Sequence, residues 1–314
     1  MKDKKHFHGV VVPVTTPFTA EGQIDIPAAE RIIRRIGAGG LGVFVLGTTG
    51  ETASIPRPER YKLVEAAMRA AEGKFPVYAG IGDNCLSNAV LAADQYLKLG
   101  VTAVVAHLPS YYPLTPEEML NYFTLLHDQV QGPLMVYNIP STTRMSIPVS
   151  VVEQLARLPR FVGFKDSENV PGRMEEVYGK LGKLEDFSLF MGSAVLSMEA
   201  LKMGFDGLVP SSGNIVPGLW AELDQAARDG DWRQAKALQD RLNEVAALFQ
   251  RGRTLGQSLA ALKAALHAIG LCQPHVLPPL ITFDREACAS VRDQLLELCP
   301  FLLDEAEAAH RTGG

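Results

Sequence analysis

The chain has 314 residues, 47% hydrophobic and 21% charged, an ordinary balance for a globular protein with a large single core. A formal net charge of −5, with no Lys/Arg run beyond Lys2, Lys4 and Lys5, argues against nucleic acid as a partner. No stretch approaches the roughly 18 consecutive apolar residues of a membrane helix, so no membrane partner is expected.

Met1–His8 is polar and lacks the apolar h-region of a signal peptide. Cys85, Cys272, Cys288 and Cys299 form no CxxC pair, which speaks against a zinc or thioredoxin-type site. Reduced thiols in a cytoplasmic protein are expected.

Short apolar runs alternate with longer helical patterns. The strand candidates in chain order are Val10–Thr15, Gly42–Leu46, Pro76–Ala79, Ala103–Ala106, Leu134–Tyr137, Phe161–Lys165, Ser188–Met191 and Gly207–Pro210. They are nearly continuous apolar runs, as expected of parallel strands buried on both faces. Between them, Val64, Ala67, Met68 and Ala71 fall on one helical face, as do Leu86, Val90, Ala93 and Leu97. Thr115, Pro116 and Glu118 form a helix start with a capping box. Gly100, Gly132 and Gly204 stand where left-handed C-caps would be useful.

Eight strands, each followed by a helix, imply a (β/α)8 TIM barrel; an open doubly wound sheet fits the same pattern, and the strand number favours closure. After the eighth strand the pattern turns all-helical. Asp231 is expected to cap a helix through Leu248, followed by helices at Gln257–Ile269 and Arg285–Leu298. The expected division is a catalytic barrel over residues 1–229 and a C-terminal helical extension over 230–314, packed on it.

Barrel active sites form at the C-terminal ends of the strands. That rule selects Thr15, Thr16, the run Gly47-Thr48-Thr49-Gly50-Glu51, Gly80, Gly82, Tyr111, Tyr112, Tyr137, Asn138, Lys165 through Glu168, Gly192, Ser193 and Val209 through Asn214. Lys165 is the sharpest of them. At the end of an apolar strand its ammonium is desolvated, its pKa falls, and the neutral amine can attack a ketone to give a Schiff base. The alternative is a strand-end lysine paired with Asp166 or Glu168.

Tyr137 could relay a proton, or simply line the mouth. The turn around Thr48 and Thr49 could cradle a carboxylate with hydroxyls and backbone N–H groups, or be an ordinary strand–helix turn. It is not a P-loop, because no Gly-Lys-Ser/Thr follows. His107 could act as an acid or base, although a lone histidine is more often a packed one. Glu51 is read as structural, hydrogen-bonding loop backbone.

Several segments in order carry a resemblance: Gly47-Thr48-Thr49-Gly50-Glu51, Tyr111-Tyr112-Pro113, Tyr137-Asn138-Ile139-Pro140, Gly163-Phe164-Lys165-Asp166-Ser167, Gly192-Ser193, and the run from Gly207 to Asn214. With this order and spacing the chain resembles the dihydrodipicolinate synthase/N-acetylneuraminate lyase family, from Gly9 to about Leu298. The resemblance implies Lys165 as the Schiff-base lysine and Tyr137 as the proton-relaying tyrosine. It implies Thr48 and Thr49 as binders of the carboxylate of a 2-oxo acid such as pyruvate, and backbone near Val209 as a substrate contact. One of Tyr111 and Tyr112, with Tyr112 the better fit, would reach a neighbouring subunit's site in a homotetramer or homodimer. Neither a metal nor an organic cofactor is implied, since the lysine supplies the electron sink.

Two departures bear on the substrate. The synthase pattern has an arginine where Thr142 stands here, while Arg144 replaces a glycine and is a candidate to grip the distal end of the substrate. After Gly192 come Ser193, Ala194 and Val195 rather than the acidic residues that hold a polyol in sialic acid lyases. Ser167, Gly192 and Ser193 look more like the substrate-binding residues of aldolases acting on short 4-hydroxy-2-oxo acids. The leading expectation is therefore a class I aldolase joining or cleaving pyruvate and a small aldehyde. Dihydrodipicolinate (4-hydroxy-tetrahydrodipicolinate) synthesis, dehydration of 2-oxo-3-deoxy sugar acids and non-catalytic 2-oxo acid binding are the alternatives.

Overall fold

The structure, a computed structural model, describes residues 5–302; Lys2, Lys4 and the last part of the expected extension, 303–314, lie outside the described residues. The elements run β1 (Gly9–Pro13), α1 (Ile26–Ala38), β2 (Gly42–Val45), α2 (Arg57–Ala71), β3 (Val77–Gly80), α3 (Leu86–Lys98), β4 (Ala103–His107) and α4 (Pro116–Gln129). They continue β5 (Leu134–Asn138), α5 (Pro140–Thr143), α6 (Val149–Leu155), β6 (Phe161–Asp166), α7 (Arg173–Leu181), β7 (Ser188–Met191), α8 (Ser197–Met203) and β8 (Gly207–Leu208). Four helices follow: α9 (Pro217–Arg228), α10 (Trp232–Gln250), α11 (Leu255–Ala268) and α12 (Arg285–Leu298). All eight strands pair in parallel in chain order, and β8 closes on β1 through Gly9↔Gly207 and Val10↔Leu208. This is the closed TIM barrel; the open sheet is excluded.

Two strands stop two residues short of expectation, and the other strand ends fall within one residue of it. The eighth strand stops at Leu208 because Pro210 leads into a short 3-10 turn over Ser211–Asn214. The first stops at Pro13, and the two threonines after it are spent on ties: the Thr15 N–H donates to Asn214 Oδ1 (3.1 Å) and Thr16 Oγ1 to the Gly50 carbonyl (2.8 Å). The Asn214 amide also donates to the Pro13 carbonyl at 2.9 Å, so one side chain laces the closing seam of the barrel.

The strands carry two apolar layers. Val11, Phe44, Tyr78, Val105, Met135, Tyr137, Phe190 and Val209 point inward, while Val10, Val12, Val43, Val45, Val104, Val136, Phe164 and Leu189 pack against the helices. This explains the continuous apolar runs: alternation between two buried faces leaves no polar position.

Between β5 and β6 the register slips. Leu134 pairs with Phe161 but Met135 with Gly163, leaving Val162 as the extra residue of a bulge. A one-residue slip exchanges the faces of everything after it. Lys165 thereby shares the inward parity of its cross-strand partner Tyr137 instead of facing α7.

The helix starts follow their sequence signals. Thr115 and Glu118 make both capping-box bonds, and Asp231 caps α10 by accepting from the Gln234 N–H. Thr254 with Gln257 forms a second box, moving the start of α11 earlier than expected. Gly100 and Gly204 are left-handed, with φ of 91° and 110°, but Gly132 is not. There α4 ends in extended backbone at Val130 (φ −91°), and a Cβ on Gly132 would meet the Leu97 side chain at 2.7 Å. On α3 the most buried positions are Ala89, Ala93 and Tyr96, with Leu86, Val90 and Leu97 flanking them half-buried. Residues of α10, α11 and α12, among them Leu242, Leu262 and Leu295, join the same continuous core as the outer barrel layer.

Candidate active site

At the C-terminal ends of the strands lies a cavity of about 460 Å³. Its floor and inner wall are Phe44, Val105, His107 and Tyr137, with Thr48 on one side and Thr142 and Thr143 on another. Directly beneath, a void of about 10 Å³ is lined by Lys165 together with Val11, Tyr78, Met135, Phe190 and Val209, and it shares Phe44 and Val105 with the cavity above. Lys165 is 4% exposed; its Nζ sits 3.6 Å from the centre of the Tyr137 ring and 5.0 Å from that of Phe44. Burial pushes its pKa down, and the nearby Tyr137 offsets part of that. Rings receive a cation on their faces, but they neutralise no charge, so desolvation prevails.

The alternative reading of Lys165 fails on the carboxylates beside it. Among the described residues Lys165 makes no ion pair. Asp166 faces outward and is held by Arg173 Nε at 2.8 Å and by the Asn138 amide at 2.8 Å. Glu168 accepts from the same amide at 2.8 Å and from the Ser146 hydroxyl at 2.6 Å. Arg173 also donates to the Ile147 carbonyl at 2.9 Å. This buried network binds the ends of β5 and β6 together on the helix side, one residue beyond the Tyr137–Lys165 pair on the inside. Burial raises the Asp166 pKa, and Arg173 and Asn138 act against it.

The turn after β2 is strained. Leu46 and Glu51 adopt left-handed backbone, φ 58° and 56°, unusual for residues with a Cβ. The turn of Leu46 brings its carbonyl to where a Cβ on Gly80 would lie at 2.0 Å, so only glycine fits at the end of β3. The N–H groups of Gly50 and Glu51 are spent on the Gly47 and Thr48 carbonyls, both at 3.1 Å. The N–H groups of Thr48 and Thr49 have no partner among the described residues, so this turn offers a ligand two N–H groups beside its hydroxyls. Thr48 lines the cavity and Thr49, half-buried, does not.

Glu51 is structural, through a more distant partner than its own loop. It accepts from the Leu277 N–H at 2.9 Å and lies 2.9 Å from Lys263 Nζ of α11.

The remaining expected site residues divide. Val209 is buried beside Lys165. Ser167 and Gly192 meet at the ends of β6 and β7, where a Cβ on Gly192 would lie 2.1 Å from Ser167 Oγ, and Ser193 follows as the entry to a 3-10 turn. These three flank the cavity without lining it. Arg144 departs from the expected pocket position: it is the exposed, left-handed C-cap of α5 (φ 61°), and the cavity wall there is Thr142 and Thr143. Tyr111 and Tyr112 are 76% and 70% exposed on the loop after β4, edge to face at 5.0 Å, and do not line their own chain's cavity. Sequence reasoning missed the outer wall, Leu255, Leu259, Pro279 and Leu280 of the C-terminal extension, because nothing local marks a helix face that meets a distant strand end. Among the described residues, no group of three or more His, Cys, Asp or Glu is placed to hold a metal.

The model of the dihydrodipicolinate synthetase family matches residues 6–298. The chain belongs to that family. Family membership makes it an enzyme, a carbon–carbon or carbon–oxygen lyase. A 4-hydroxy-tetrahydrodipicolinate synthase of Ruegeria pomeroyi is 31% identical over 287 residues, covering 91% of this chain and 96% of that protein. Dihydrodipicolinate synthase from Bacteroides thetaiotaomicron superimposes with a TM-score of 0.89 at 28% identity, covering 94% of this chain and 99% of that one. YagE, a prophage protein of the family from E. coli K12 solved in complex with pyruvate, gives 0.87 at 26% identity, covering 93% and 99%.

Proposed function

We propose that this enzyme is a class I aldolase: it forms a Schiff base between Lys165 and a 2-oxo acid, and makes or breaks the bond between pyruvate and a small aldehyde. The observation that carries the reading is the buried amine of Lys165, free of any carboxylate, in a small void just beneath the cavity and against Tyr137. The neutral amine attacks the C2 carbonyl, water leaves, and the resulting iminium accepts the electron pair of the C3–C4 bond. Tyr137 relays protons to and from the oxygen lost at C2. Thr48, with Thr49 behind it, binds the carboxylate, and Val209 backbone completes the pyruvate subsite. Ser167, Gly192 and Ser193 contact the rest of the substrate. No organic cofactor is required by this chemistry.

Pyruvate with borohydride is expected to leave a reduced three-carbon adduct on Lys165, read by peptide mass spectrometry. Labelling elsewhere, or none with any 2-oxo acid, overturns the mechanism.

The names of the relatives favour a second reading, condensation with aspartate semialdehyde. The position that carries the synthase arginine supports the aldolase: Thr142 lines the cavity there without a charge, and Arg144 is exposed and off the wall, so the arginine that lines the cavity is Arg60 of α2. Coupled assays on aspartate semialdehyde and on 4-hydroxy-2-oxo acids decide between them; robust turnover of the former at the expense of the latter makes the synthase correct.

The exposed pair Tyr111 and Tyr112 supports a homodimer or homotetramer in which Tyr112 enters the partner's site. A fully active monomer by light scattering contradicts that. No helix among the described residues is long and apolar enough to cross a membrane, and the free cysteines suit a cytoplasmic protein. The helices after Asp229 serve as outer wall and support to a barrel that carries the chemistry.

A further inference from the structure

The register of the barrel places three chemically active side chains in one row. His107 of β4 is the cross-strand partner of Tyr137 of β5, and Tyr137 is that of Lys165 of β6. His107 and Tyr137 both line the cavity, while Lys165 lies just below. The schemes above use the phenol and the amine and leave the imidazole without a task.

The state of that imidazole follows from its contacts. Nδ1 lies 2.7 Å from the Leu108 carbonyl, so Nδ1 carries the hydrogen and donates it. Nε2 then holds a lone pair, and among the described residues it has no hydrogen-bond partner. Nor is it one of the sealed, unpartnered atoms such as His127 Nε2. It is open to the cavity.

The ring packs on Gly82, where a Cβ would lie 2.0 Å from Nε2, so the absence of a side chain there makes room for it. The charged and titratable groups facing it are Lys165 from β6, Asp83 from the loop after β3, and Tyr137 from β5. Burial, with a smaller push from Lys165, holds its pKa below the ordinary histidine value; the Leu108 carbonyl and Asp83 act the other way. The ring is therefore neutral at pH 7.

We propose that His107 is a catalytic base that acts on the 4-hydroxyl of the substrate once the Schiff base has formed. The proposal rests on the Schiff-base reading above. In cleavage, Nε2 takes the hydroxyl proton as the O–C4 bond becomes the aldehyde carbonyl. The C3–C4 electron pair moves to C3=C2 and neutralises the iminium, giving the enamine and an imidazolium. The imidazolium returns its proton to C3, and water then hydrolyses the imine to release pyruvate. Protons and electrons balance with no further reactant. Tyr137 serves the C2 oxygen and His107 the C4 oxygen, so the two proton transfers are divided between neighbouring strands.

The test separates base from scaffold. In His107→Asn the amide N–H stands near the position of Nδ1–H and can keep the bond to Leu108, but no titrating lone pair remains. Borohydride trapping of pyruvate on Lys165 is expected within about threefold of wild type, while kcat for cleavage of a 4-hydroxy-2-oxo acid falls by about 10²–10⁴. The acidic limb of kcat that cleavage shows beyond that of trapping is expected to vanish. Gly82→Ala, which displaces the ring, should show the same split if the Asn variant folds poorly. Wild-type cleavage in either folded variant overturns the proposal. Equal loss of trapping and cleavage also overturns it, because His107 would then be holding Lys165. Failure of wild type itself to trap pyruvate removes the Schiff-base reading and this inference with it.

Discussion

Lys165 and Lys263 are both withdrawn from water, at 4% and 0% relative exposure, and burial lowers the pKa of each. Their partners differ. Lys263 meets Glu51 at 2.9 Å, donates to the His275 carbonyl at 2.8 Å, and lies 4.3 Å from the centre of the Phe18 ring. Lys165 has the rings of Tyr137 and Phe44 but no carboxylate, because Asp166, its neighbour in sequence, is claimed by Arg173 on the other face of the strand. The same desolvation therefore accompanies a tie in one place and an unpaired amine, the proposed nucleophile, in the other. Pairing separates them: a carboxylate at contact distance offsets part of the desolvation of Lys263, and no carboxylate does so for Lys165.

The tie is not remote from the chemistry. Glu51 closes the turn that carries Thr48, and Lys263 belongs to the helix whose start walls the cavity.

The sharpest way to break this contrast is Lys165→Ala. Turnover is expected to fall by roughly four orders of magnitude or more, as for loss of a covalent nucleophile. Thermal unfolding should change little, because no ion pair is lost. A large drop in Tm would show that Lys165 is a structural lysine like Lys263.

Next is Tyr137→Phe, which keeps the ring over the amine and removes the hydroxyl. A fall in kcat of about 10²–10⁴ is expected, the usual worth of an acid–base group. Near-normal turnover would reduce Tyr137 to packing.

The mirror experiment is Lys263→Met, which strands a buried carboxylate. Removing one partner of a buried pair costs about 3–5 kcal/mol, read as a lower denaturation midpoint. The double change Lys263→Met with Glu51→Gln should recover much of it. Simply additive losses would show that the pair is not the cause.

A milder perturbation is pH. In the proposed mechanism Lys165 reacts as the neutral amine, and its folded pKa is lowered. Trapping of pyruvate should therefore rise with pH and level off well below the ordinary lysine value of about 10.4. A rate still climbing there would indicate a solvated amine. Stability follows the same sign: between the lowered value and about 10.4 the unfolded chain binds more protons, so stability rises with pH across that window. In Lys165→Met that contribution to the slope should be absent.

The smallest effect belongs to Arg144→Ala. The side chain is exposed and off the cavity wall, so KM and kcat should stay near wild type. A KM raised tenfold would show that the arginine folds inward on the substrate.

Much of this was legible in the sequence. Eight apolar runs with helices between them, the Thr115 box, the Asp231 cap and the strand-end positions of Lys165 and Tyr137 are local signals, because propensity, capping and two-faced burial act over a few residues. The segments from Gly47 to Asn214 were also enough to indicate the family.

Which way Lys165 points was not local. It depends on the slip at Val162, set by pairing with β5, and on Arg173 reaching back to remove Asp166. The same holds for Arg144, turned outward by the left-handed end of α5, for the Glu51–Lys263 tie across the chain, and for the wall that α11 and Leu280 give the cavity. Charge pairing and cavity shape are contacts between segments far apart in sequence. Only the closed barrel, which brings those segments within a few ångströms, decides which buried lysine meets a carboxylate and which meets none.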